Sequence, residues 1–325
     1  MSETVQSAVK SKDVLPMPLS DDSSLTRRSF IKRAGGFLAG HWFLTSLTAG
    51  GLGALSWAEY DTLKLERNHW DLYYPQLPSA LDNKTILHLS DLHLECLQIS
   101  ADRLYQAVAP VQPDIVVFTG DLISTRTDLD KVAPYLEQIK GTIGNYFVMG
   151  NNDYAHFSNA LFDRYVDLLY TLGWTPLMND AIDLPELSLT VIGIDDPATA
   201  RDDTKKAYEK SGLLQGTKNV PAPFRLVLAH STDCLDDIVR YGGADLFLTG
   251  HTHGGQIRLP GCKPFVNNTY LGSHGFYEGY HIINDVPLYI SRGIGTSSIP
   301  LRLGAKPEIT LFSLHQGEGA GKKRR

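Results

Sequence analysis

The chain has 325 residues, 42% of them hydrophobic, enough for one large α/β domain or two small ones around a buried core. Its 30 basic and 36 acidic residues leave a net charge of -6, which excludes a nucleic-acid grip built on bulk positive charge, so no specific nucleic-acid binding is inferred. Three cysteines, Cys96, Cys234 and Cys262, are too few and too scattered for a disulfide framework or a thiolate metal site.

Residues 1 to 25 are polar, with Pro16, Pro18 and a Ser/Asp cluster, and read as disordered. Thr26-Arg27-Arg28-Ser29-Phe30-Ile31-Lys32 then matches a twin-arginine export signal, and Ala34 to Ala58 follows without a single Asp, Glu, Lys or Arg. Such a segment predicts the twin-arginine export machinery as a partner and a place on the periplasmic or extracytoplasmic face of the cytoplasmic membrane. Ser56-Trp57-Ala58 offers small residues for cleavage, while the uncharged length also suits retention as a membrane anchor. Residues 1–58 are therefore set apart, 59–316 form a single domain, and 317–325, ending Lys322-Lys323-Arg324-Arg325, form a basic flexible tail.

Alternation over Thr62 to Glu66 predicts a strand, and Pro75 to Pro78 a turn. Strands then alternate with helices: strand 85–90, helix near 101–109, strand 115–119, helix near 129–139, strand 145–149, helix near 158–172. Strands near 189–194, 225–229 and 245–249 follow, with helices near 203–213 and 233–240. The order predicts a mainly parallel sheet with helices outside and ligands at the carboxyl ends of strands. After Gly255 helices vanish, and Gln256–Arg258, His281–Ile283, Leu288–Ile290 and Glu308–Phe312 read as short strands between Gly and Pro.

Five of these strands end in metal-ligand chemistry. Ile86-Leu87-His88-Leu89-Ser90 leads into Asp91 and His93; residues 114–119 lead into Gly120-Asp121; residues 146–149 lead into Gly150-Asn151-Asn152-Asp153. Residues 224–229 deliver His230, and 245–249 deliver Gly250-His251-Thr252-His253-Gly254-Gly255. Carboxylate, amide and imidazole ligands without thiolate suit Mn, Fe, Zn or Co better than Ca or a structural zinc. Taken singly, Asp91 and Asp121 read as helix caps, His230 as a core imidazole and Asn151 as a turn former; together they read as ligands. His88 and His41 lack a partner motif and read as structural.

This order of motifs, DxH, GD, GN-x-D, H and GHxH, resembles the calcineurin-like metallophosphoesterase superfamily over about residues 84 to 313. The wording of Leu226-Val227-Leu228-Ala229-His230, Gly250 to Gln256 and Ser291-Arg292-Gly293-Ile294-Gly295 is most similar to its exported YaeI/YkuE-type phosphodiesterase branch. The resemblance implies an α/β fold, a four-layer α-β-β-α sandwich in which the C-terminal strands join a second sheet. It places Asp91, His93 and His253 on one metal, Asn151, His230 and His251 on the other, and Asp121 between them. It further implies hydrolysis of a phosphoester substrate, a phosphodiester or phosphoanhydride, by a hydroxide bridging the two metals.

The chain departs from the family at Asn152, where the usual motif has a His thought to protonate the leaving group. Asparagine donates a hydrogen bond but transfers no proton near neutral pH, so Asn152 predicts a preference for leaving groups that depart unassisted. His156, His274 and His281 are substitutes by residue type only. Asp153 completes the motif as an orienting carboxylate, and Arg292 either reaches a phosphate or lines the core. Two alternatives stand beside diester hydrolysis. One is a hydrolase of lipid-linked or nucleotide-sugar pyrophosphates, UDP-diacylglucosamine-hydrolase-like; the other is a non-catalytic metal- or partner-binding protein of the same fold.

Overall fold

The computed structural model describes residues 49–124, 129–155, 158–214, 222–259, 262–264, 268–319 and 321–324. The twin-arginine motif, most of the uncharged stretch and His156 lie outside the described residues. Strands β2 (Thr85–Leu89), β3 (Ile115–Thr119), β4 (Gly144–Val148) and β5 (Thr175–Pro176) run parallel, because a helical crossover joins each to the next. The crossovers are α2 (Ala101–Val108), α3 (Leu129–Leu136), and the pair α4 (Asn151–Tyr154) and α5 (Asn159–Thr171).

A second sheet is built the same way. β6 (Asp180–Leu184) pairs antiparallel with β7 (Leu189–Gly193); β8 (Phe224–Leu228) and β9 (Leu246–Thr249) continue in parallel, with α6 (Thr204–Ser211) and α7 (Leu235–Tyr241) as crossovers. The one-turn α8 (Tyr270–Ser273) precedes β10 (Gly279–Ile283), and β11 (Val286–Ile290) completes the order β10-β11-β9-β8-β7-β6.

Side-chain alternation on the parallel strands assigns the layers. Ile86, Val117, Tyr146 and Val148 meet Val191, Leu226, Leu228, Leu246 and Leu248 in a core between the two sheets. Their neighbours Leu87, Leu89, Val116, Phe118 and Phe147 point outward onto Leu104, Val132, Leu136 and Tyr165 of the first helical layer. Ile192, Val227 and Phe247 face Ala207, Tyr208, Leu235 and Ile238 on the other side. The result is the α-β-β-α sandwich that the resemblance implied.

Several expectations need correction. Residues 62–63 end a helix, α1 (Ala49–Leu63), and the strand starts later, as β1 (Glu66–Tyr74). Thr62 Oγ1 donates back to Ala58 O at 2.6 Å, which keeps that turn helical. The proposed domain edge at 58/59 therefore falls inside a continuous helix. The last strand, β12 (Glu308–Gln316), joins the first sheet between β1 and β2 rather than the second. Gln256–Arg258 makes only a bridge between Ile257 and Leu303, and α8 supplies a helix after Gly255. The basic tail is not loose: β13 (Lys322–Lys323) pairs with Asp71 and Trp70, and Arg324 Nε donates to Asp71 Oδ2 at 2.6 Å.

Candidate metal centre

All five ligand-bearing segments leave the carboxyl ends of parallel strands: β2, β3 and β4 of the first sheet, β8 and β9 of the second. The two sheets face each other, so these ends converge. Asp91, His93 and His253 bring one ligand atom each into a first cluster, and Asp121, His230 and His251 into a second, with all atoms in each cluster within 4.8 Å of one another. His93 Nε2 lies 3.0 Å from His253 Nε2, and His230 Nε2 lies 3.0 Å from His251 Nδ1. His253 Nε2 is 3.4 Å from Asp91 Oδ1. Two nitrogens bound at right angles to one ion, each at about 2.1 Å, sit about 3.0 Å apart, so these spacings match the edges of a coordination polyhedron.

Asp121 joins the clusters. Its Oδ2 is 3.5 Å from His93 Nε2 in the first and 3.3 Å from His230 Nε2 in the second. Asn151 begins α4, and its buried Oδ1 has no hydrogen-bond partner. A buried amide oxygen left unsatisfied costs about 1–3 kcal/mol, and a cation supplies what it lacks. The donor set therefore fits two hard or borderline divalent ions.

The backbone at the centre is itself unusual. Asp91, His93, Asp121, His251 and His253 all have positive φ, between 46° and 67°. Left-handed backbone costs an L residue about 1–2 kcal/mol. Asp, Asn and His tolerate it better than most, so residue types suited to ligation are also suited to the turn. Gly120 and Gly150 permit the close approach of the β3 and β4 loops, where a Cβ on Gly120 would fall 2.5 Å from Gly150 N.

Burial sets the protonation states. Desolvation pulls His93 down to about 4 and His251 to about 3, and pushes His253 well below the usual range, leaving neutral rings with a lone pair to give. His230 goes the other way: burial alone would lower it, but the Asp121 carboxylate raises it well above its ordinary value. A cation held at that carboxylate would supply the positive charge that the proton now provides. Burial, followed by the charge of Asp121 after the opposing pull of His230, lifts Asp91 to about 6.

The ligands are held from behind. His230 Nδ1 bonds Thr119 O at 2.7 Å, and His93 Nδ1 bonds Ser124 Oγ at 2.8 Å. Ser90 Oγ donates to Asp91 Oδ2 at 2.5 Å. Asp153, fully buried, accepts from the main-chain N–H of Gly150 and Asp121 on Oδ2, at 2.9 and 2.8 Å, and from Leu122 on Oδ1 at 3.1 Å, tying the β3 and β4 loops together. Asn152 turns to Asp121: its main-chain N donates to Oδ1 at 2.8 Å and its Nδ2 to Oδ2 at 2.7 Å.

Other candidates fall away. Arg292 is committed to carboxylates, with Nε donating to Glu308 Oε2 at 2.7 Å and Nη2 to Glu66 Oε2 at 2.9 Å. His274 Nδ1 bonds Tyr270 O and His281 Nε2 bonds Glu278 O. Cys96 closes neither cluster. His88, read as structural, is buried with its Nε2 2.8 Å from Thr119 Oγ1. The sequence reading missed Ser124 and the buried Arg302, and nothing in their local sequence singles either out.

A sandwich of two sheets that presents two histidine–carboxylate clusters at converging strand ends defines a metal-dependent hydrolase class. Residues 84–255 match the family model described as calcineurin-like phosphoesterase. The chain is 34% identical over 236 residues to the uncharacterized metallophosphoesterase YkoQ of Bacillus subtilis, covering 70% of this chain and 83% of that one. It is 30% identical over 299 residues to the uncharacterized metallophosphoesterase YkuE of the same organism, covering 89% and 98%. A transmembrane protein with metallophosphoesterase domain from Bos taurus is 29% identical over 253 residues, 74% of this chain and 54% of that one. The chain belongs to the calcineurin-like metallophosphoesterase family, in its YkuE-type branch.

Proposed function

We propose that this chain is a dinuclear-metal phosphodiesterase that favours diester or phosphoanhydride bonds over simple monoesters. The observation that carries the reading is the pair of clusters sharing Asp121, together with the commitment of Asn152 to that same carboxylate. Two divalent cations, one on Asp91, His93 and His253 and one on Asn151, His230 and His251, would supply Lewis acidity toward a phosphoryl oxygen and a water of lowered pKa. Asn152 fixes both oxygens of Asp121, Asp153 locks the loops that carry Asp121 and Asn151, and burial keeps His93, His251 and His253 in the ligating form. No acid stands at position 152 to protonate a departing alkoxide, and loss of such an acid costs about 100- to 10,000-fold where the leaving group needs a proton.

Export places the enzyme at the outer face of the cytoplasmic membrane; the motif Thr26–Lys32 supports this, and α1 continues the uncharged stretch with exposed Leu55, Trp57 and Tyr60. Aromatic side chains of this kind favour the membrane–water boundary. The same feature favours a second reading, a hydrolase of lipid-linked pyrophosphates. Exposed Leu259 lies in a loop tied by Arg258 to Gly304 and so to Asp61 of α1.

The test reloads stripped protein with Mn(II) and compares bis-p-nitrophenyl phosphate with p-nitrophenyl phosphate, alongside Asp121→Ala and Asn152→His. Diesterase activity lost in Asp121→Ala, with monoesterase activity rising in Asn152→His, is the expected result. Faster turnover of the monoester by the unaltered chain sinks the preference. Two bound metals with neither ester turned over shifts the reading to pyrophosphates, tested with detergent-dispersed lipid substrate. A reporter fused behind residue 58, retained in the cytoplasm when Arg27 and Arg28 are changed to Lys, checks the export route.

A further inference from the structure

Arg302 is fully buried, yet its guanidinium meets main-chain carbonyls rather than a carboxylate. Nε donates to Gly295 O at 2.8 Å, Nη1 to Ala305 O at 3.0 Å and to His253 O at 3.4 Å, and Nη2 to Arg292 O at 2.7 Å. Nη2 also lies 3.2 Å from Nδ1 of the His253 ring. Asp91, Glu308 and Glu278 act on this cation only at a distance, and burying it without a hydrogen-bonded carboxylate is expensive, where an apolar side chain would fill the same volume at less cost. The donors achieve what an apolar residue would not: they tie separate loops together.

The loops concerned belong to one cluster. Residues 292–295 lie on the Asp91 segment, with Ile294 N donating to Ser90 O at 3.0 Å and Gly295 N to Asp91 O at 2.7 Å. A Cβ on Gly295 would overlap Leu92 O, and one on Gly293 would come 2.6 Å from Asp91 Cβ, so the packing leaves no slack. Arg302 thus links the loop that bears His253 to the loop that braces Asp91. Among the described residues, its hydrogen bonds do not reach Asn151, His230 or His251. Arg302 is placed in turn by α1: its own N–H donates to Thr62 Oγ1 at 2.7 Å, and Gly304 N donates to Asp61 Oδ2 at 2.9 Å.

We propose that Arg302 is a positioning residue for the cation held by Asp91, His93 and His253, and that α1 sets its place through Thr62 and Asp61. The helix leading out of the N-terminal segment is thereby coupled to one metal of the pair and not to the other. The inference rests on the metal-centre reading given above.

The experiment uses the full chain in mild non-ionic detergent, stripped of metal and titrated with Mn(II), with free ion read from its paramagnetic resonance signal. A His251→Ala background weakens the second cluster and isolates the first; a His253→Ala background does the reverse. Arg302→Ala should raise the Kd by about 10- to 100-fold in the first background, the scale of lost outer support for a ligand, and by less than about twofold in the second. Thr62→Val, which removes the acceptor for Arg302 N and leaves the guanidinium in place, should raise the Kd by roughly 3- to 10-fold in the first background only. Equal losses in both backgrounds, or unchanged affinity in both, overturn the proposal. If Arg302→Ala does not fold, Thr62→Val decides by the same criterion. An unaltered chain that binds no Mn(II) overturns the metal centre as well.

Discussion

Replacing Arg292 with Met should cost stability and leave chemistry alone. Glu308 is 2% exposed and accepts from Asn68 Nδ2 at 2.6 Å, from Tyr289 OH at 2.9 Å and from the Arg292 main chain at 3.0 Å. The guanidinium adds the Nε bond at 2.7 Å and an Nη2 contact at 2.6 Å, and it bridges outward to Glu66. Methionine fills much of the stem's volume but leaves the carboxylate buried without its cation. Breaking a buried pair in this way costs about 3–5 kcal/mol. For a domain of this size that is a fall in Tm of about 6–20 °C. Adding Glu308→Gln removes the stranded charge and should recover at least half of the loss, because replacing both partners is far milder than removing one. Urea unfolding followed by circular dichroism measures each variant, and diesterase KM is measured on the folded fraction. A loss below about 1 kcal/mol, or a tenfold rise in KM at parental stability, would refute this and return Arg292 to the substrate.

Asn152→Ala frees Asp121 Oδ2 from the side-chain amide, keeping the main-chain bond to Oδ1, and should weaken Mn(II) binding by about 10-fold, read by equilibrium dialysis, with little change in melting temperature. Gly295→Ala forces a methyl onto Leu92 O and should cost about 3 kcal/mol in thermal unfolding, the upper end of overpacking. Metal affinity should depend on pH with a definite sign. Asp91, raised to about 6, is an open carboxylate above that pH and competes for a proton below it, so affinity at its cluster should drop about tenfold per unit below pH 6. His93, lowered to about 4, adds a second proton only in stronger acid. His230, raised well above its ordinary range, must give up a proton on binding at neutral pH, which calorimetry in buffers of differing ionisation enthalpy detects. A flat profile from pH 5 to 8 without proton release would contradict these assignments.

Strand ends were legible because hydrophobic runs such as Ile115–Thr119 stop at residues whose chemistry has no other reason to cluster. The α-β-β-α layers followed from the resemblance, since the succession of strands and helices alone predicted only a mainly parallel sheet with helices outside. β1 escaped notice because one of its inward positions is Asn68, a polar residue whose burial is satisfied only by Glu308, far along the chain. The placement of β12 in the first sheet depends on long-range pairing that local pattern does not encode. The candidate ligands were readable by type; their left-handed backbones were not, since residue type alone does not set φ. Asn152 was seen as a missing acid, but its grip on Asp121 required the geometry of α4.

The position of β12 fixes an order of events during synthesis. Among the described residues, β1 pairs as a strand only with β12 and β13, and Glu66 is in register with Glu308. β1 has no strand to pair with until residues 308–316 have been made. The same holds for α1, whose contacts through Asp61 and Thr62 are to residues 302–304. Docking of the first strand and helix against the last strand is then a late, non-local closure, slow relative to local helix formation. A chain in which β1 has docked is one that has been made at least through β12.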